Sequence, residues 1–250
     1  MGAIAVIDEA TLTSALDPFI AEGWITGDAL VLKSGKEAIA YRCEAEPATG
    51  QAFYVAKVYR AQESRGFKND AVYRAGQYIR DSHMRRAMAN KSRTGREFQF
   101  SSWVSAEYAT LRLLHGAGAI VPRPVAQAAN SILMEYVGDD EGPAPPLYQV
   151  DLAPQEVRPL FGRIMQQVEL WLRCDRIHGD LSAYNILYWR GSLTVIDFPQ
   201  AVDPRANPHA YDLLARDIAN VVRYFARYGL QVDAALMADR LWGRFLRAEL

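Results

Sequence analysis

The chain has 250 residues, 50% hydrophobic and 23% charged, the balance of a soluble globular protein long enough to bury a core without staples. Its formal net charge is −1, so global charge selects neither a nucleic acid nor an acidic partner. Its two cysteines, Cys43 and Cys174, have no metal-ligand spacing, which argues against a disulfide framework and suits a reducing compartment.

The opening MGAIAVIDEA lacks the basic start and apolar run of a signal peptide, and no apolar stretch is long enough to span a bilayer. A cytoplasmic location without a membrane partner is the expectation. Residues 9–22 read as a short helix with Leu12, Leu16, Phe19 and Ile20 on one side. Ala29–Leu32, the SGKEA segment at 34–38 and Ile39–Arg42 read as strand, turn, strand, and Phe53–Tyr59 follows as a further strand after Pro47, Thr49 and Gly50. Residues 61–100 are polar, basic and poorly periodic. From Lys57 to Glu97 there are eleven Lys/Arg against four acids, an excess that suits either a solvated loop or a polyanion such as RNA.

A helix is expected to begin at Trp103 and end near Gly116 and Gly118, with VPRP at 121–124 stopping any helix and leading into a strand. Ser131–Tyr136 reads as another strand. The Gly-, Pro- and acid-rich residues 138–146 are the best linker. Beyond it, Val157, Leu160, Phe161, Ile164, Met165, Val168, Trp171 and Leu172 recur at helical spacing. Ile186–Tyr188 and Leu193–Ile196 are short strands joined at Arg190–Ser192, and the remainder is helical. A strand-rich half (1–137, with the basic insert at about 61–100), a linker (138–146) and a helical half (147–250) predict an α+β chain of two lobes.

The strongest chemical signal is HGDLSAYNILYWRGSLTVIDF at 178–198. Asp180 and Asn185 lie five apart on a loop, and Asp197 follows an apolar strand. Two carboxylates and an amide oxygen on short, stiff elements suit a hard cation that completes its shell with phosphates. Phosphoryl transfer asks for little more than such a metal and a carboxylate to orient the nucleophile. Asn185 and Asp197 are therefore read as metal ligands and Asp180 as the catalytic carboxylate. Lys57, within FYVAKVY, either meets an anion or faces outward, because its strand is apolar on both faces. Glu107 shares a helical face with Trp103, Leu111 and Leu114, where an unpaired carboxylate would be costly, and Lys57 is its natural partner. Ser34-Gly35-Lys36-Glu37-Ala38 is an ordinary hairpin turn by itself, but its place ahead of Lys57 suits a turn that covers phosphates with backbone N–H groups. Met134-Glu135-Tyr136-Val137 runs from a strand into the linker.

Together these residues resemble the RIO family of atypical serine/threonine protein kinases, over most of the chain. SGKEA resembles the family's phosphate loop and VAKVY its ATP-lysine strand. The basic segment with FKND and the W-x-x-x-E at 103–107 resemble its flexible loop and following helix. HGDLSAYNILY resembles its catalytic loop, IDFPQAVDP its metal segment, and PHAYDLLARDIANV the helix after it. The resemblance implies a two-lobed kinase-like fold that uses ATP and Mg²⁺ or Mn²⁺. Lys57 and Glu107 would form the ion pair, and Ser34 and Lys36 would touch phosphates. Met134, Glu135 and Val137 would border adenine. Asp180 would be the base, and Asn185 and Asp197 would hold the metal. It also implies that Asp197 can accept the phosphoryl group, which would make the chain an ATPase switch as well as a kinase, with a protein substrate that can include the chain itself. The stretch ahead of the kinase region is too short for a winged helix, which points to a bacterial or stand-alone member. SGKEA matches one subgroup and DFPQ another. Two further readings stand beside this one: a small-molecule kinase of the aminoglycoside phosphotransferase type, and a nucleotide-gated assembly factor that docks on RNA or a ribosomal particle through residues 60–96.

Overall fold

The computed structural model describes residues 9–60 and 93–250, with side chains from 12–60 and 101–250. The basic stretch at 61–92 and the side chains of 93–100 lie outside the described residues. The chain divides into two units, the first containing 9–60, 93–109 and 123–136 and the second 110–122 and 137–250.

In the first unit, α1 (Glu9–Ala21) buries Ala15, Leu16 and Phe19. Ile20, expected on the same face, is exposed. It sits one position beyond Phe19, about 100° further round the helix, and its Cδ1 lies over Gly27, 3.4 Å from where a Cβ would stand. Five antiparallel strands follow: β1 (Ile25–Ser34), β2 (Ala38–Ala45), β3 (Phe53–Tyr59), β4 (Pro124–Gln127) and β5 (Ser131–Glu135), in the order β1-β2-β3-β5-β4. The first two are longer than the apolar runs Ala29–Leu32 and Ile39–Arg42, because the pairing of Ile25 with Ala45 extends the ladder through polar residues. On β3 the side chains alternate as a pleated strand requires: Tyr54, Ala56 and Val58 are buried, and Lys57 lies on the other face opposite Ala40 and Ile132. That resolves what a strand apolar on both faces left open. Tyr54, Ala56, Val58, Ile39, Tyr41, Cys43 and Leu133 close over α1 as one core, each large side chain contributing about 1.5–3 kcal/mol of burial. Ser131 Oγ donates to Ala15 O at 2.7 Å and pins the helix to the sheet.

Helix α2 (Arg93–Gly116) begins ten residues before Trp103. RTGREFQFSS has no apolar period to announce a helix, but a helix anchored by a packed face downstream propagates cheaply through indifferent residues. Val104 and Glu107 are buried on its first-unit portion, and Leu111 and Leu114 on its second-unit portion.

In the second unit, α3 (Pro154–Arg173) starts with Glu156 accepting from the Ala153 N–H at 3.0 Å. It buries seven of the eight apolar residues that its periodicity singles out, with Met165 half-buried at the edge of the stripe. Phe161 meets Phe225 of α4 (Ala210–Ala226) edge to face at 5.6 Å. The Tyr224 and Tyr228 hydroxyls donate to Leu147 O and Val150 O at 2.6 and 3.1 Å, tying the segment before α3 to α4. Strands β6 (Ile186–Trp189) and β7 (Ser192–Val195) form a hairpin whose turn is two residues, Arg190 and Gly191, with φ of 49° and 79°. Such a turn matches strand twist and leaves Ser192 in the ladder rather than in the turn. The last helix, α5 (Ala234–Leu246), is capped by Asp233, which accepts from Leu236 N at 3.0 Å. No described helix is long and apolar enough to cross a membrane.

Candidate active site

The candidate residues fall into two groups, one in each unit. In the first, the pleat of β3 sends Lys57 away from the core and α2 brings Glu107 to it. Lys57 Nζ donates to Glu107 Oε1 at 2.7 Å, with the glutamate side chain only 1% exposed. The other carboxylate oxygen accepts from the Tyr59 hydroxyl at 2.5 Å. Tyr59 is itself buried, with the Trp103 ring edge-on at 5.1 Å and Lys57 Nζ 5.1 Å from its ring centre. Both Glu107 oxygens are thus engaged by β3, two residues apart on one face. A buried carboxylate held this way offsets its desolvation through charge-assisted bonds.

The SGKEA turn is tight. Gly35 N donates to Ala38 O at 2.9 Å, and a Cβ on Gly35 would stand 3.1 Å from that same carbonyl, so any larger residue would press the turn open by a few tenths of an ångström. Ser34 and Lys36 are exposed in it. Met134 is buried on β5. Glu135 exchanges with Arg123, giving its N–H to Arg123 O at 2.9 Å and accepting from Arg123 N on its side chain at 3.1 Å. Val137 opens the second unit, and its carbonyl accepts from Ala144 N at 2.8 Å.

In the second unit the loop 178–185 carries Asp180 and Asn185. Gly179 (φ 80°) makes its bend, a backbone state that costs other residues about 1–2 kcal/mol. The loop is fastened from α4. Asp217, 2% exposed, accepts from Gly179 N at 2.7 Å and Leu181 N at 2.9 Å. The Arg216 guanidinium donates to Gly179 O, and Asn220 Nδ2 to Leu181 O at 3.1 Å. All four main-chain polar groups of Gly179 and Leu181 are therefore taken by three side chains of one helix. From the other side, buried His178 accepts from Asp180 N on Nδ1 (3.2 Å), which makes Nε2 the protonated nitrogen that donates to Ile196 O (3.1 Å). Its ring lies 4.4 Å from Phe198. The residue before Asp197 is thereby bonded to the loop that carries Asp180, and Ile196 N donates to Asn185 O at 2.9 Å as well.

Asn185 Nδ2 donates to Asp180 O at 2.9 Å and to Asp180 Oδ2 at 3.3 Å. Its amide nitrogen is thus spent within the loop, and its oxygen is the atom left for a ligand. Asp197 has φ 74°, the left-handed backbone that non-glycine residues adopt mainly where surroundings impose it. Asp180 reaches solvent, yet the protein around it withholds hydration and pushes its carboxyl above the ordinary value. The nearby Asp197 charge adds to this, while Arg216 and the Asn185 bond offset part of it. Burial pushes Asp217 up to about 7 against the pull of its two backbone bonds and Arg216. Two carboxylates and one amide oxygen suit a hard cation such as Mg²⁺ that draws remaining ligands from phosphate and water. Among the described residues no group of three or more His, Cys, Asp or Glu forms a closed metal cage.

The structure therefore brings Lys57 to Glu107, and Asp180 and Asn185 to the segment of Asp197. Tyr59, His178, Arg216, Asp217 and Asn220 are site-supporting residues that the sequence reading did not assign. Asp217 carried a usable signal: it interrupts the apolar stripe Leu213, Leu214, Ile218, Val221, as Glu107 interrupts its own.

A model of the RIO domain matches residues 40–237. The chain is 29% identical over 234 residues to the human serine/threonine-protein kinase RIO1, covering 90% of this chain and 39% of that protein. It is 32% identical over 241 residues to the RIO-type serine/threonine-protein kinase Rio1 of Haloferax volcanii, covering 96% and 77% respectively. It thus spans about two fifths of the human relative and 44% of a nematode one. The Rio2 kinase of Chaetomium thermophilum, solved as an ADP/Mg²⁺-phosphoaspartate complex, superposes with a TM-score of 0.62 at 24% identity, over 94% of this chain and 69% of that one. That likeness carries the fold, a kinase-like α+β architecture with a strand-rich and a helical part.

Proposed function

The chain belongs to the RIO domain family, and from that premise we propose that it is an ATP- and Mg²⁺-dependent phosphotransferase, acting as a serine/threonine protein kinase, as an ATPase, or as both. The observation that carries this reading is the loop 178–185, whose backbone is bonded from α4 and from His178 so that Asp180 and Asn185 are held beside the Asp197 segment. Phosphoryl transfer depends on such positioning more than on covalent chemistry by the protein.

In this reading each unit supplies its own part. Lys57, fixed by Glu107 and Tyr59, donates to phosphate oxygens, and the Ser34–Ala38 turn covers them. Met134, Glu135 and Val137 border the base. Asp180 takes the proton of the acceptor hydroxyl; its raised pKa makes it a better base near neutral pH than an ordinary aspartate. Asn185 and Asp197 would hold the magnesium ion, whose chemistry is neutralisation of phosphate charge. In the ATPase mode an Asp197 carboxylate oxygen attacks the γ-phosphorus. A new O–P bond forms as the bond to ADP breaks, and water later releases phosphate and restores the carboxylate. The phosphoaspartate of the Chaetomium relative supports this mode.

Incubation of wild type and Asp197→Ala with γ-labelled ATP and Mg²⁺ tests the reading. Acid-stable label on protein marks a kinase, and free phosphate with a labile, Asp197-dependent label marks the ATPase. Neither label nor phosphate release from wild type refutes both. The eleven Lys/Arg against four acids from Lys57 to Glu97 support RNA as a partner of segment 60–96, tested by an affinity that falls steeply with added salt.

A further inference from the structure

Strand β3 ends at Tyr59, and the next residue, Arg60, makes three bonds across the SGKEA turn. Its backbone N–H donates to Glu37 O at 2.9 Å. Its Nε donates to Gly35 O at 3.1 Å, and its Nη2 to Ser34 Oγ at 2.9 Å. A guanidinium has no acceptor, so Ser34 Oγ must be the acceptor in that last bond. The hydroxyl proton of Ser34 then points away from Arg60 and is a donor the turn presents. A plain hairpin turn needs none of this, because Gly35 N to Ala38 O already closes it.

We infer that Arg60 is a positioning residue for nucleotide phosphates. It latches the turn through Gly35 and orients the Ser34 hydroxyl to donate to a phosphate oxygen. The inference rests on the ATP-dependent reading above and adds a residue to it. Arg60 acts through Ser34 rather than as the phosphate ligand itself. The fork geometry matters, since two nitrogens of one planar group reach two acceptors at once, which a lysine ammonium cannot reproduce with the same rigidity.

The test is calorimetric binding of ATP and of adenosine to the full chain, for wild type, Arg60→Met, Arg60→Lys, Ser34→Ala and the Arg60→Met/Ser34→Ala pair, with hydrogen exchange of amides 34–38 in the ligand-free proteins. Arg60→Met and Ser34→Ala are each expected to weaken ATP by roughly five- to twentyfold, the range of a lost charge-assisted bond at an exposed site. Adenosine affinity should not move, the double variant should be no weaker than the weaker single one, and Arg60→Lys should recover only part. Exchange at 34–38 should quicken in Arg60→Met. Equal losses of ATP and adenosine would make Arg60 merely structural. A loss in Arg60→Met without one in Ser34→Ala would make it a direct phosphate ligand. Either result overturns the inference, as do additive losses. A wild type that binds no ATP refutes the functional reading, whereas unchanged exchange in Arg60→Met refutes the latch whatever the protein binds.

Discussion

Replacing Asp217 by asparagine keeps the shape of the side chain and changes what it can accept. The carboxylate takes two backbone N–H groups, from Gly179 and Leu181, at 2.7 and 2.9 Å. An amide has one oxygen and one NH₂, so one of those N–H groups must face a donor. The site is 2% exposed, so water does not substitute, and a buried polar group left unmatched costs about 1–3 kcal/mol. The pH dependence supplies a sharper criterion. Burial raises the Asp217 carboxyl to about 7, above its unfolded value of about 3.9. Between those values the folded protein holds a proton that the unfolded chain releases, so stability from this group is full below about pH 4 and is lost as pH rises through about 7. The stability gap between wild type and Asp217→Asn, measured by urea unfolding at steps from pH 4 to 8, should therefore narrow as pH rises. A gap that widens instead would mean that the two N–H bonds and Arg216 hold the carboxylate ionised, and the reasoning from burial would be refuted. Turnover should fall by about tenfold or more in the variant, since small misplacement of a reacting group is enough for such losses.

Asp180→Ala should lose turnover while keeping ATP affinity within a few-fold, because the proposed mechanism gives it the acceptor hydroxyl and not the nucleotide; direct binding and steady-state assays together check this, and retained turnover would remove Asp180 from the mechanism. Tyr59→Phe removes the donor on Glu107 Oε2 and should lower stability by about 1 kcal/mol. If the hydroxyl fixes the Lys57–Glu107 pair, the same variant raises KM for ATP, and this rise should vanish in a Lys57→Met background; a rise that persists there would show that Tyr59 acts elsewhere.

The strands and helices around the site were legible in outline because their periodicity is plain: Phe53–Tyr59 stands as read, and so does the stripe from Val157 to Leu172 except for the half-buried Met165. What failed was extension into residues without a pattern. The start of α2 at Arg93 and the length of β1 follow from cooperativity and ladder pairing rather than from local sequence. The Lys57–Glu107 contact was legible because a carboxylate in an apolar stripe demands a cation. The Tyr59 hydroxyl on the same glutamate was not, since a tyrosine in a strand is ordinary. Arg60 was hidden for a similar reason: an arginine just after a strand reads as a solvated end until the turn it touches is seen.

The way the second unit holds its loop follows from the charges it presents. Asp180 and Asp197 are close enough that the charge of one raises the pKa of the other, so like-charge repulsion works against the arrangement. Side-chain bonds between the two carboxylates cannot provide the support. Bonds to main chain provide it instead: Asp217 to Gly179 and Leu181 N–H, Arg216 to Gly179 O, Asn220 to Leu181 O, His178 to Asp180 N and Ile196 O, and Asn185 to Asp180 O. A scaffold that grips the backbone fixes where each carboxylate stands. In the proposed mechanism it also gives α4, which reaches the loop through Arg216, Asp217 and Asn220, an influence on chemistry at Asp180. Substitutions on that helix should act on turnover through loop position, and their effects should be non-additive with one another, since each bond loses its purpose once the loop has moved.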